Sequence, residues 1–189
     1  MKPTEELMKE HEAIQVMLSI LEQMCNRLEL GERLPPGKLE RVLEFIKLFA
    51  DKCHHGKEED LLFPAMIKAG FSKEGGPIAV MLHEHVIGRN AVKGMDEALV
   101  KYKQSKDTIP EGFIENARTY IRLLRQHIDK EDHILYPMAN QHLSLEVQQE
   151  LLEQFERVER EVIGVGTHEK FHELLHQLKE EFLDKKRHL

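Results

Sequence analysis

The chain has no tryptophan, and only three tyrosines and eight phenylalanines among 189 residues. Eleven glycines and seven prolines are few, and they cluster between long stretches rich in Leu, Glu, Lys and Gln. That balance favours helix over sheet. The two cysteines, Cys25 and Cys53, form neither a Cys-x-x-Cys pair nor a disulfide framework. No apolar run approaches the ~18 residues of a membrane span, and the N-terminus is charged and amphipathic, so no signal peptide or span is expected and the expected location is cytoplasmic. Basic charge is also short: 27 Lys and Arg stand against 34 Asp and Glu, for a net charge of -7. This leaves no electrostatic footprint for nucleic acid or an anionic membrane. What the chain has in excess is histidine, at twelve.

Several of these histidines recur in register. Cys53-His54-His55-Gly56-Lys57-Glu58-Glu59-Asp60-Leu61-Leu62-Phe63-Pro64 is repeated, altered, 73 residues later as Gln126-His127-Ile128-Asp129-Lys130-Glu131-Asp132-His133-Ile134-Leu135-Tyr136-Pro137. Each copy carries His-x-x-x-Glu, which puts imidazole and carboxylate on one helical face a turn apart. Glu10-His11 and Glu84-His85, 74 residues apart, extend the duplication.

Apolar spacing predicts six helices. The first starts near Thr4 as N-cap and runs to about Glu29, with the stripe Leu7, His11, Ile14, Leu18, Leu21, Cys25 and Leu28. The second begins near Lys38 and carries Leu43, Ile46, Ala50, His54, Glu58, Leu61 and Ala65; Pro64 should bend or loosen its end. The third opens at Pro77 and carries His85 in its seam. The fourth, capped by Thr108 with Glu111, carries His127 and Glu131. Ser144 and Thr167 cap two more. The expected fold is all-α: one domain over 1–189, with an up-down-up-down four-helix bundle at 4–140 and a helical hairpin at 144–185.

In that bundle His11, His54, Glu58, His85, His127 and Glu131 all point at the axis. Four imidazoles and two carboxylates in an apolar interior are costly unless something positive joins them. Two cations bridged by the carboxylates and a water-derived oxide or hydroxide would balance the charge. Nitrogen and oxygen donors without thiolate suit iron, manganese or zinc, and open positions favour two non-haem irons. His55, His83 and His133 fall off the seam and should face solvent, His83 remaining a candidate outer partner. Cys25 and Cys53 read as buried thiols, and Tyr120 as core, with a hydroxyl bond towards the site as the alternative.

The pattern Glu10-His11, His54-x-x-x-Glu58, Glu84-His85, His127-x-x-x-Glu131, with its Leu-Phe-Pro and Leu-Tyr-Pro endings, resembles the hemerythrin-like (HHE cation-binding) family over about residues 4–140. The resemblance implies a four-helix bundle with a carboxylate-bridged di-iron centre that meets dioxygen, nitric oxide or peroxide. The chain departs from the oxygen carriers of that family, which have five histidines, a His-x-x-x-His pair on the third helix and an Asp in the last motif. It is more similar to the bacterial members and to di-iron proteins of iron-sulfur cluster repair. A sensor, scavenger or iron-handling role is therefore expected. The alternatives are a di-iron oxidoreductase reducing peroxide or nitric oxide, and a metal-free structural module. His168-Glu169-Lys170-Phe171-His172 also matches the zinc-protease pattern His-Glu-x-x-His, but no strand is predicted to align a peptide. His168 or His172 is instead expected at the mouth of the metal site, as an extra ligand or outer group. A homodimer is compatible with the sequence, although no feature calls for one.

Overall fold

A computed structural model describes residues 1–105, 110–164 and 166–184, apart from the side chains of 162, 163 and 168. Among the described residues the chain is all-helical, in six runs. α1 is Pro3–Glu29, α2 spans 36–68, α3 is Pro77–Gln104, α4 spans 111–142, α5 spans 145–163 and α6 is Thr167–Phe182. No helix among the described residues is long and apolar enough to cross a membrane.

Most boundaries follow local chemistry. α1 ends in a Schellman motif: Gly31 takes a left-handed φ of 83°, its N–H donates to Leu28 O at 3.0 Å, and Glu32 N–H donates to Arg27 O at 3.0 Å. Ser144 caps α5 by accepting from Val147 N, as its sequence position predicts. Thr4 is not the N-cap. Lys2 is, followed by Pro3 at a first-turn position where its missing N–H costs nothing, and the Thr4 hydroxyl donates to Asn140 Oδ1 at 2.9 Å. Thr108 lies outside the described residues; α4 opens at Glu111 behind Pro110.

The largest departure from expectation is in the winding. α2 adopts wide π-helical turns at Ile46–His55 and Glu58–Leu62, and α4 does so at Glu131–Leu135. Pro64 and Pro137 would each lose an i→i−4 bond in a regular helix and collide with the carbonyl four residues back. The turns at Glu58–Leu62 and Glu131–Leu135 end just before them, closed by Phe63 N–H to Glu58 O and Tyr136 N–H to Glu131 O. Turns of this kind concentrate at functional sites.

Two apolar clusters form the core. One gathers residues from Ala13 to Leu28 of α1, Leu39 to Ala50 of α2, Ala91 to Tyr102 of α3 and Phe113 to Ile128 of α4, together with Phe171, Leu174, Leu178 and Phe182 of α6. The other holds Leu7, Leu62, Phe63, Met66, Ile78, Met81, Leu135 and Tyr136, with Leu151 and Phe155 of α5. On every one of α1 to α4, a seam histidine lies in sequence between members of the two clusters. The buried polar layer therefore sits between two apolar ones.

Candidate metal centre

His11, His54, Glu58, His85, His127 and Glu131 are all buried, and the fold brings them together. His11 Nε2 lies 2.9 Å from His54 Nε2, and His85 Nε2 lies 3.0 Å from His127 Nε2. Glu131 spans the two pairs, with Oε2 3.2 Å from His11 Nε2 and Oε1 3.1 Å from His127 Nε2. Glu58 Oε2 lies 3.8 Å from His54 Nε2 and 3.5 Å from His85 Nε2. Its other oxygen accepts from the Tyr136 hydroxyl at 2.7 Å.

Each ring faces a carboxylate on its far side. Nδ1 of His11 meets Asp132 at 2.7 Å, that of His54 meets Glu10 at 2.8 Å, that of His85 meets Glu59 at 2.6 Å, and that of His127 meets Glu84 at 2.9 Å. The duplication is obeyed here too, since Glu10 and Glu84 correspond, as do Glu59 and Asp132. A carboxylate on Nδ1 fixes the proton there and leaves the Nε2 lone pair facing inward, the arrangement typical of metal-binding histidine. Two inward lone pairs about 3 Å apart repel unless a proton or a cation lies between them.

The electrostatics point the same way. Burial opposes a charge on His127, but Glu131 and Glu84 overcome it and push its pKa to about 9. His11 is likewise raised against its burial, by Asp132 and Glu131. Burial and the neighbouring His11 hold His54 well below the usual range, and burial lowers His85. Burial followed by the charge of Glu131 pushes Glu58 well up; Glu131, despite its own burial, is held well down by His127 and His11. The carboxylates thus favour a proton on two of the four rings, and a cation bound there would compete with it. Glu58 Oε2 and both Glu131 oxygens are buried without a hydrogen-bond partner. Orphaned carboxylate oxygens beside inward imidazole nitrogens form a nitrogen–oxygen donor set that fits first-row transition-metal cations.

Three residues beyond the expected set belong to this neighbourhood. His55, expected in solvent, is only 4% exposed, and its ring is stacked at 3.9 Å on His85. The wide turn at Ile46–His55 shifts the helical phase, which a regular-helix spacing could not anticipate. Tyr136 is stacked on His11 at 5.5 Å, with its hydroxyl 3.4 Å from His11 Nε2. Its only sequence signal is that it stands where the first half has Phe63. Lys57 is fully buried, with Nζ bonded to Glu6, Glu10 and Glu159 at 2.7, 2.7 and 2.6 Å.

The remaining candidates stand elsewhere. His83 and His172 are exposed, and neither belongs to a metal-competent group among the described residues. The His168 side chain lies outside the described residues. His133 is exposed, as expected. Cys25 and Cys53 are buried, and burial pushes both thiols up to about 12, which leaves them unreactive. Tyr120 is buried in the wall of a cavity of about 300 Å³ between α2 and α3 that also touches Asp51 and His55.

The family model described as hemerythrin HHE cation-binding domain matches residues 2–139. An uncharacterized protein of Mycobacterium tuberculosis (strain ATCC 25618 / H37Rv) is 26% identical over 164 residues, covering 85% of this chain and 62% of its own length. An iron-sulfur cluster repair protein YtfE of Edwardsiella ictaluri is 28% identical over 129 residues, covering 65% of this chain and 56% of its own. The YtfE of Dickeya chrysanthemi is 30% identical over 139 residues, with coverages of 68% and 60%. The chain thus spans about six-tenths of the length of these curated relatives. No solved structure matches it.

Proposed function

Because the chain belongs to the hemerythrin HHE cation-binding family, we propose that it is a di-iron protein that meets dioxygen, nitric oxide or peroxide as a sensor, scavenger or iron-handling protein. The observation that carries this reading is the convergence of four inward Nε2 atoms, each backed by a carboxylate, on three orphaned carboxylate oxygens. His11 and His54 would hold one iron and His85 and His127 the other, with Glu58 and Glu131 bridging. The surrounding architecture is one domain, an up-down-up-down four-helix bundle carrying a helical hairpin. In its support, the seam crosses from one apolar cluster to the other in opposite senses on successive helices.

When bound, the iron pair supplies open coordination positions and accessible oxidation states to a small ligand. The protein side chains do the rest. Asp132, Glu10, Glu59 and Glu84 orient the rings and raise their basicity. The apolar layers exclude water, which strengthens every charge interaction between them. The Tyr136 hydroxyl donates its proton to Glu58 Oε1, leaves Oε2 to face inward, and sets its oxygen 3.4 Å from His11 Nε2. Similarity to the iron-sulfur cluster repair proteins YtfE favours iron handling or repair over oxygen carriage.

Metal analysis of anaerobically reconstituted protein, with optical spectra before and after reduction, tests the reading. Two irons per chain with an absorption that bleaches on reduction are expected; a folded protein that takes up no metal would refute it. Tyr136→Phe restores the symmetry with Phe63 and should keep both irons. By removing a hydrogen bond worth about 1 kcal/mol, it should change the dissociation rate of bound nitric oxide several-fold. Stopped-flow release is the check, and an unchanged rate would remove Tyr136 from the site's chemistry.

A further inference from the structure

His55 is not required by the two-fold pattern, because the second half has Ile128 in its place. It is nonetheless buried against the centre. One of its ring nitrogens and ligand atoms of Glu58, His85 and His127 all lie within 4.8 Å of one another. Nδ1 is engaged by Asp51 Oδ1 at 3.3 Å, while Nε2 is buried with no partner. The Nδ1 side matches that of the other four histidines, each backed by a carboxylate with Nε2 left inside the buried layer.

The backing carboxylates are themselves tied together. Arg89 Nε donates to Asp51 Oδ1 at 2.8 Å, and an Arg89 terminal nitrogen donates to Glu59 Oε1, also at 2.8 Å. Glu59 is the carboxylate behind His85. One guanidinium therefore holds the supports of His55 and His85 in register. A buried ring nitrogen without a partner is costly, and nothing in the packing of His55 calls for one, since an aliphatic residue fills the equivalent place in the other half.

We propose that His55 Nε2 is a fifth nitrogen ligand, so that the two metal positions are unequal: His55, His85 and His127 on one side, His11 and His54 on the other. This rests on the two-metal reading above. Tyr136, stacked on His11, then faces the position that has fewer nitrogens. The asymmetry comes from one residue of α2, brought inward by a wide turn, and needs no His-x-x-x-His pair on α3.

The test uses His55→Ile, which copies the second half, and Asp51→Asn, which keeps the ring and weakens its support. Both are loaded with ferrous iron beside the wild type, and iron per chain, chelator competition and Mössbauer spectra are read. The wild type should show two irons in two distinct environments. His55→Ile should lose one iron or bind it more than ten-fold more weakly, with the two environments becoming alike. Asp51→Asn should weaken the same iron by about ten-fold, which keeps the inference testable if His55→Ile does not fold. Two irons with wild-type affinity and spectrum in both variants would overturn the role of His55 alone. A wild type that binds no iron would overturn the metal centre and His55 with it.

Discussion

Lys57→Met is expected to destabilise the protein by about 3–5 kcal/mol, read as a shift in the urea unfolding midpoint at constant slope. The reason is what the substitution leaves behind. The Lys57 ammonium is fully buried and is the countercharge for Glu6, Glu10 and Glu159, which come from α1 and α5. A thioether of similar length fills the space but leaves three carboxylates facing one another, with Glu10 itself only 4% exposed. The duplication supplies an internal control. Lys130 holds the corresponding place in α4 and pairs with Glu84, but it is 33% exposed. Lys130→Met should therefore cost no more than about 1 kcal/mol, the usual worth of a solvent-screened pair. Equal losses in the two variants would mean that burial under α5 contributes nothing to the Lys57 network. The difference has a functional side as well, because Glu10 also backs His54. α5 is thereby linked through Glu159, Lys57 and Glu10 to the imidazole of His54.

The Lys57 network also shows where sequence reading stops. A seam spaced by threes and fours located the helices and the six inward residues, because burial repeats along a helix with the period of its backbone. It could not locate Lys57 or His55. His55 ends one stretch where α2 is wound more widely than a regular helix and Lys57 stands just before the next, so the inward face includes positions that a constant period assigns to solvent. Pro64 was legible as a disturbance, but not as a wide turn on its N-terminal side. The outer carboxylates were half legible. Glu10 and Glu84 stand beside His11 and His85 in the repeat, yet the rings they meet are His54 and His127 on the neighbouring helix of each half. Neighbours on a helix point in different directions, so a motif read along the chain names the residues without pairing them. Tyr136 was visible as the one ring in the repeat to carry a hydroxyl, and only the approach of that hydroxyl to Glu58 gives it a role.

The double substitution His54→Leu with Glu58→Leu separates a metal centre from a structural polar layer, because the two readings predict opposite signs. Removing one member of a buried charged set is usually damaging, since it strands the others. Here every stranded group keeps a partner. Glu10 retains Lys57, His11 retains Asp132 and Glu131, and the Tyr136 hydroxyl remains 3.4 Å from His11 Nε2. Glu58 Oε2, one of the orphaned oxygens, disappears. Metal-free double variant should therefore be as stable as metal-free wild type, or more stable by about 1–4 kcal/mol, while its iron content falls from two per chain to below one. Loaded wild type should exceed both, by about 4 kcal/mol for each site held at a thousand-fold excess over its dissociation constant. Thermal melts with and without a chelator read all three quantities. If the metal-free double variant instead lost about 3–5 kcal/mol, the residues would be holding the helices together by themselves. If it kept two irons, the ligand set would be wrong. A stability gained by removing these two side chains, together with the loss of iron, is the result expected of residues kept for the cation they bind and not for the fold.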